Sequence, residues 1–190
     1  NANNEAGLPP IVDLAVFIPF ALRCAKLFML HGHTFGPGGV LTPLEMKGPA
    51  NIDIWNQCMA VYKNALIMLA TVDFGVIDGY IRKINQLHNY YGAATWLLLY
   101  QAHVRAMAEH LPLIRLEQYN RHRKDLALMR PSEYDPKRPW NNALRELCSH
   151  ACAEFWEREF KDAAQLMKGA NDNRAIANAL GGYAPVSMWH

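Results

Sequence analysis

The sequence predicts an all-α protein, an irregular helical bundle of six or seven helices with a Gly/Pro-rich loop after the first helix. Three observations predict it. Every long apolar segment repeats at three- and four-residue spacing, the period of one helix face. Almost no stretch alternates apolar and polar residues as a half-buried strand would. Glycine and proline fall between the periodic segments, where they end helices.

Taken in order, residues 1–10 are polar and read as loose, and residues 11–30 read as a first helix that starts at Pro9 and Pro10 and kinks at Pro19. Residues 31–50 carry five Gly and three Pro, too many for a regular element, and read as an irregular connection or a short hairpin. Asn51 is placed to cap the next helix, with Asp53 in its first turn, where the helix dipole favours a negative charge. Ile54, Cys58, Val61, Ala65 and Met68 form the expected buried stripe of that helix. Gly75 and Gly79 are expected to interrupt it, with a separate helix over residues 76–90 closed by Gly92.

The helix over residues 93–111 has the stripe Trp96, Leu99, His103, Met107 and His110. Pro112 is expected to break or bend it, and residues 113–129 carry a basic face. Residues 131–139 form a Pro-rich linker between a main helical domain (residues 1–130) and a C-terminal helical subdomain (residues 140–190). In that subdomain one long helix over residues 141–167 is expected, with the stripe Leu144, Leu147, Cys148, Ala151 and Phe155. Gly169 closes it, a short helix follows over residues 174–180, and residues 183–190 read as a loose tail.

Composition narrows the class of function. An apolar content of 51%, a charged content of 19% and a net charge of +2 are those of a folded protein, and they exclude a broad electrostatic footprint for nucleic acid. Binding to RNA or DNA would need a local patch. The four cysteines are sparse and lie on apolar helical patterns, so the expectation is free thiols in a reducing setting, inside a cell or a particle. The apolar run 14–22 has no basic region before it and is too short to span a bilayer, which predicts neither a signal peptide nor a membrane anchor. The chain opens on Asn1 rather than Met, and a targeting segment upstream is compatible with this reading.

Four constellations bear on chemistry. His31 and His33 could chelate one metal from a Gly-rich loop, but a site would want a third ligand. Cys148 and Cys152 share one helical face as half of a zinc site, yet no second pair completes it, and two small buried hydrophobes is the simpler reading. His103 and His110 lie seven apart, without the spacing of a metalloprotease helix, and read as core or interface histidines. No metal, cofactor or catalytic residue is therefore assigned, since no phosphate loop or nucleophile elbow occurs either.

The fourth is the basic segment. Residues 115–138 hold seven basic side chains (Arg115, Arg121, Arg123, Lys124, Arg130, Lys137 and Arg138) against four acidic ones, an excess above that of the whole chain. Tyr119, His122 and Tyr134 are interleaved, and rings beside guanidinium groups suit unpaired bases and phosphates. The competing reading is a solvated face with pairs such as Glu117–Arg121 and Arg121–Asp125.

Five Trp, eight Tyr, seven Phe and eight Met are a heavy load for one core, which predicts self-association. Trp140, Phe155, Trp156, Phe160 and Trp189 are the candidate interface residues.

The leading expectation is a non-enzymatic subunit of a capsid-like, nucleoprotein-like or other large complex, partnered by itself or by other subunits, whose basic helix contacts nucleic acid. Next stands a structural subunit or adaptor without nucleic-acid binding. A small metal-binding protein or enzyme using His31/His33 or Cys148/Cys152 stands third.

Overall fold

In the computed structural model, which describes residues 14–17, 29–35, 40–132 and 134–169, a short 3-10 turn (Leu14–Phe17) and a hairpin precede five helices among the described residues. The described ends of the expected first helix are therefore not α-helical, and Met29 and Leu30 already belong to a strand. Strand β1 (Met29–Phe35) pairs antiparallel with strand β2 (Leu41–Lys47), from Met29 opposite Lys47 to Phe35 opposite Leu41. Of the two readings of residues 31–50, the hairpin holds. Pro43 is tolerated because each strand of a two-stranded ribbon has a free edge, where a missing N–H costs no ladder bond.

Two glycines seat this ribbon on the bundle. A Cβ on Gly32 would meet Leu97 Cδ2 at 2.3 Å, and one on Gly48 would meet the Tyr100 ring at 2.1 Å. Both glycines are therefore close-approach positions. Trp96 Nε1 donates to the carbonyl of Pro49 at 2.8 Å and pins the base of the ribbon to the same helix.

Helix α1 (Ile52–Met68) starts as expected, with Asn51 Oδ1 accepting from the amide of Ile54 at 3.0 Å. Its buried face, however, is Trp55, Cys58, Met59, Tyr62 and Leu66, and Val61 and Met68 point out. Two apolar stripes at helical spacing lie side by side on this helix. The one with the larger rings is buried, because it removes more apolar area from water.

Gly75 and Gly79 do not interrupt the chain. The break falls at Ala70, whose φ of 51° is left-handed. The amides of Ala70 and Thr71 donate to the carbonyls of Ile67 and Leu66, the double bond of a Schellman cap with alanine where glycine is usual. Helix α2 (Phe74–Tyr91) then contains both glycines and ends at Gly92.

Helix α3 spans residues 96–127 without a break: Trp96–Arg105, a π turn over Ala106–His110, and Leu111–Ala127. Pro112 does not break it. The preceding π turn, in which Leu111 N–H donates to Ala106 C=O, shifts the ladder where the proline has no N–H to give. The expected stripe is buried at Trp96, Leu99, His103 and Met107, with His110 half-buried. Helix α3 closes with a second Schellman cap, Met129 at φ 52° and the amides of Met129 and Arg130 on the carbonyls of Leu126 and Asp125.

The segment after α3 folds back, and helix α4 (Pro139–Cys148) packs on both α3 and α2. The long helix expected over residues 141–167 is two. Ser149 leaves the helical region, its hydroxyl donating to the Glu146 carbonyl and accepting from the Ala151 amide, so the serine competes with the helix ladder and wins. After a 3-10 turn (His150–Cys152), helix α5 runs over residues 153–169 with a second π turn at Glu157–Lys161.

One buried cluster takes Leu14, all five helices and Ala164 into the same core. Trp140, Phe155, Trp156 and Phe160 sit in it, which corrects their assignment as interface residues: the chain buries these rings in its own interior. Trp189, Cys24 and the tail lie outside the described residues. No described helix is long and apolar enough to cross a membrane.

Candidate functional site

The chain folding back along α3 forms a surface of mixed chemistry. Tyr134 lies against Tyr119 and His122, with ring centroids 5.9 and 5.0 Å away. His122 Nδ1 is 2.7 Å from Ser132 Oγ, and that hydroxyl also accepts from the amide of Tyr134 at 3.3 Å. These contacts hold the return segment as one wall of a cleft of about 570 Å³. The second wall is α3 (Gln118, Arg121, His122, Asp125) and the third is α4 (Asn142, Arg145, Glu146). Gln118 Nε2 donates to Glu146 Oε2 at 2.6 Å and ties the two helices at the base.

Charge in the cleft is mixed. Arg121 Nη2 pairs with Glu117 at 3.0 Å, both exposed, a contact that contributes little in water. Arg145 Nη1 donates only to Asn142 Oδ1 at 3.2 Å and meets no described carboxylate. Asp125 is half-buried, and its carboxylate meets no described cation; the expected Arg121–Asp125 pair is absent among the described residues.

The other basic residues divide into two groups. Arg123, Lys124, Arg130 and Lys137 are exposed, with no acidic partner among the described residues. Arg138 is ion-paired with Asp73, and Asp73 also exchanges two hydrogen bonds with Asn141, so that charge clamps the α1–α2 corner to the start of α4. Arg115 is only 6% exposed, its guanidinium carbon 4.5 Å from the centre of the Trp140 ring. A cation stacked on a buried indole is part of the core, which corrects its place among the exposed contacts. Arg115→Ala is expected to cost about 2 kcal/mol, some 5 °C in melting temperature, and to leave the salt dependence of any nucleic-acid binding as it was. Parallel melting and binding curves check both halves.

Ser132, Gln118 and Arg145 were not singled out by sequence, and Asp125 entered only as an expected ion-pair partner of Arg121. Each is an ordinary polar residue on a helix or loop, and only the fold-back of residues 128–138 brings them together.

The remaining candidates are placed elsewhere. His31 and His33 lie exposed on β1, and His31 Nδ1 is 3.1 Å from Glu45 across the ribbon. No group of three or more His, Cys, Asp or Glu capable of holding a metal occurs among the described residues. Cys152 is buried and Cys148 half-buried, both as free thiols; burial pushes the Cys148 thiol up to about 11 and that of Cys152 up as well. Lys83, whose ammonium donates to the Cys148 carbonyl at 3.1 Å and lies 5.2 Å from the Trp156 ring, is pushed down by burial.

His103 and His110 sit in different surroundings. His103 is enclosed by Trp55, Tyr80 and Tyr100, its Nδ1 2.8 Å from the Tyr80 hydroxyl, and burial lowers its pKa to about 3. His110 stacks on Phe155 at 4.3 Å and is lowered by burial and by the charge of Arg158. Beside it Arg105 reaches Glu159 at 2.5 Å. Burial raises the Glu159 carboxyl, but hydrogen bonds from Arg105 and Arg158 outweigh it and hold the group below its ordinary value.

Comparison of the chain with protein-family models, with curated proteins and with solved structures finds no match in any of the three.

Proposed function

We propose that this chain binds single-stranded nucleic acid on the face formed by the second half of α3, the return segment and α4, as a non-enzymatic subunit of a larger assembly. The observation that carries this reading is the cleft: guanidinium groups from two helices, Arg121 and Arg145, flank a wall of Tyr134 and His122. Phosphates attract the cations, and an unstacked base finds a ring to lie on. Lys124 on the same helix and Arg130 and Lys137 on the return segment are exposed as well and add positive charge around the cleft, whereas Arg123 lies on the opposite side of α3. A duplex hides its bases, so the aromatic wall favours single strands.

The assembly half of the reading draws on a different surface. With the large rings internal, two groups stand out among the apolar residues left in water: Met68, Leu69 and Phe74 at the α1–α2 corner, and Leu126, Leu128 and Met129 at the end of α3. Exposed side chains of this kind in groups mark contact surfaces.

The test is fluorescence anisotropy with a short single-stranded RNA over a range of salt. Log affinity should fall with log salt at about 0.7 per phosphate contact. The double substitution Arg121→Ala and Arg145→Ala should flatten that slope by roughly one unit. Absence of salt-sensitive binding would leave an adaptor with a solvated basic face. Solution mass measured with the ratio of absorbance at 260 and 280 nm reports assembly and bound nucleic acid together.

A further inference from the structure

We propose that the α3–α4 cleft is a base-reading pocket, selective for guanine in a single strand, with the Asp125 carboxylate as the reader; this rests on the nucleic-acid reading above. The cleft sets unpartnered acceptors beside donors. Acceptors without partners belong to α3: the half-buried Asp125 carboxylate meets no described donor, and the buried Oε1 of Gln118 has no hydrogen bond. Donors come from Arg121 and Arg145, of which Arg145 meets no described carboxylate. The aromatic wall is Tyr134 tilted at 35° to His122. A volume of about 570 Å³ falls in the range of clefts that hold small ligands.

A ligand complementary to this arrangement is planar, carries adjacent donors on one edge and a negative charge beyond it. A nucleotide meets that description, and its base decides the fit. Guanine alone offers two neighbouring donors, N1–H and the N2 amine, on its Watson–Crick edge, and these match the two oxygens of a carboxylate. Adenine and cytosine set one amine beside a ring acceptor, and uracil sets one N–H between two carbonyls. Each of these brings an oxygen or nitrogen lone pair against the Asp125 carboxylate, which costs free energy where water is partly excluded.

The experiment compares three RNA probes of equal length at one fixed salt concentration: all uridine, uridine with a single central guanosine, and the same strand with inosine in place of guanosine. Fluorescence anisotropy with the full chain reads each dissociation constant. The guanosine strand should bind about tenfold more tightly than the uridine strand, the usual scale for one bidentate base contact. Inosine, which lacks the N2 amine, should fall between them. Asp125→Asn replaces one acceptor by a donor at the same volume and should bring guanosine and uridine strands to equal affinity. Circular dichroism and a melting curve on that variant establish that α3 is intact. Salt-sensitive binding with no preference for guanosine, or a preference that survives Asp125→Asn, would overturn the pocket and leave the polyanion face standing. Absence of binding to all three strands would overturn both.

Discussion

Lowering the pH from 7.5 to 5 is expected to remove about 2 kcal/mol of stability through His103 alone. The imidazole is fully enclosed and its pKa is lowered from 6.5 to about 3 by burial. Burial also raises the Tyr80 phenol well above its ordinary value, so the phenol keeps its proton, and it shares a hydrogen bond of 2.8 Å with Nδ1 of a neutral ring. The unfolded chain takes up a proton near its ordinary value of about 6.5, and the folded chain does not until far lower. The stabilisation is therefore complete above pH 6.5 and is lost as pH falls toward 3. The lowered pKa of His110 acts in the same direction over the same range. Glu159, also lowered, stabilises above its unfolded value and loses that contribution only at lower pH, as it is protonated. Urea unfolding at pH 7.5, 6 and 5 measures the effect, with His103→Gln as the control that still hydrogen-bonds Tyr80 and does not titrate. Equal losses in the two proteins would mean that His103 is reached by water in the native state.

Trp156→Ala is expected to cost about 4 kcal/mol, a large part of the margin by which a domain of this size is folded. The indole is fully buried, edge-on to Phe155 at 5.3 Å and tilted against Tyr80 at 6.5 Å. Its Nε1 donates to the Leu147 carbonyl at 2.9 Å, one of the carbonyls that the end of α4 leaves without a helical partner. The substitution thus opens a cavity between α2 and α5 and strips a buried acceptor of its donor. Trp156→Phe keeps most of the volume and loses the hydrogen bond, so a cost of about 2 kcal/mol separates the two contributions. A change below about 1 kcal/mol in the alanine variant would mean that α5 is not docked as described.

The aromatic load shows how one residue type supports two opposite expectations. Trp140, Phe155, Trp156 and Phe160 lie on more than one side of their segment, and a segment apolar all round is either shared with another chain or central to its own. The bend at Ser149 decides between them, because it turns α5 back so that rings on different sides all enter one core.

What the sequence determined by itself is the helical class, the cap at Asn51, the end at Gly92 and the buried stripe of Trp96 to Met107, because each depends on local spacing or on one residue's own chemistry. Tertiary structure alone decided where the helices end at Ala70 and Met129. Neither residue favours a left-handed φ, and each cap holds only where packing outweighs a strain of roughly 1 kcal/mol. It also decided which of two apolar stripes on α1 faces inward. The cleft lay furthest from view. Asp125 and Arg145 are unremarkable in sequence, and they become walls of one pocket only because residues 128–138 fold back along α3, a long-range contact that no local period encodes.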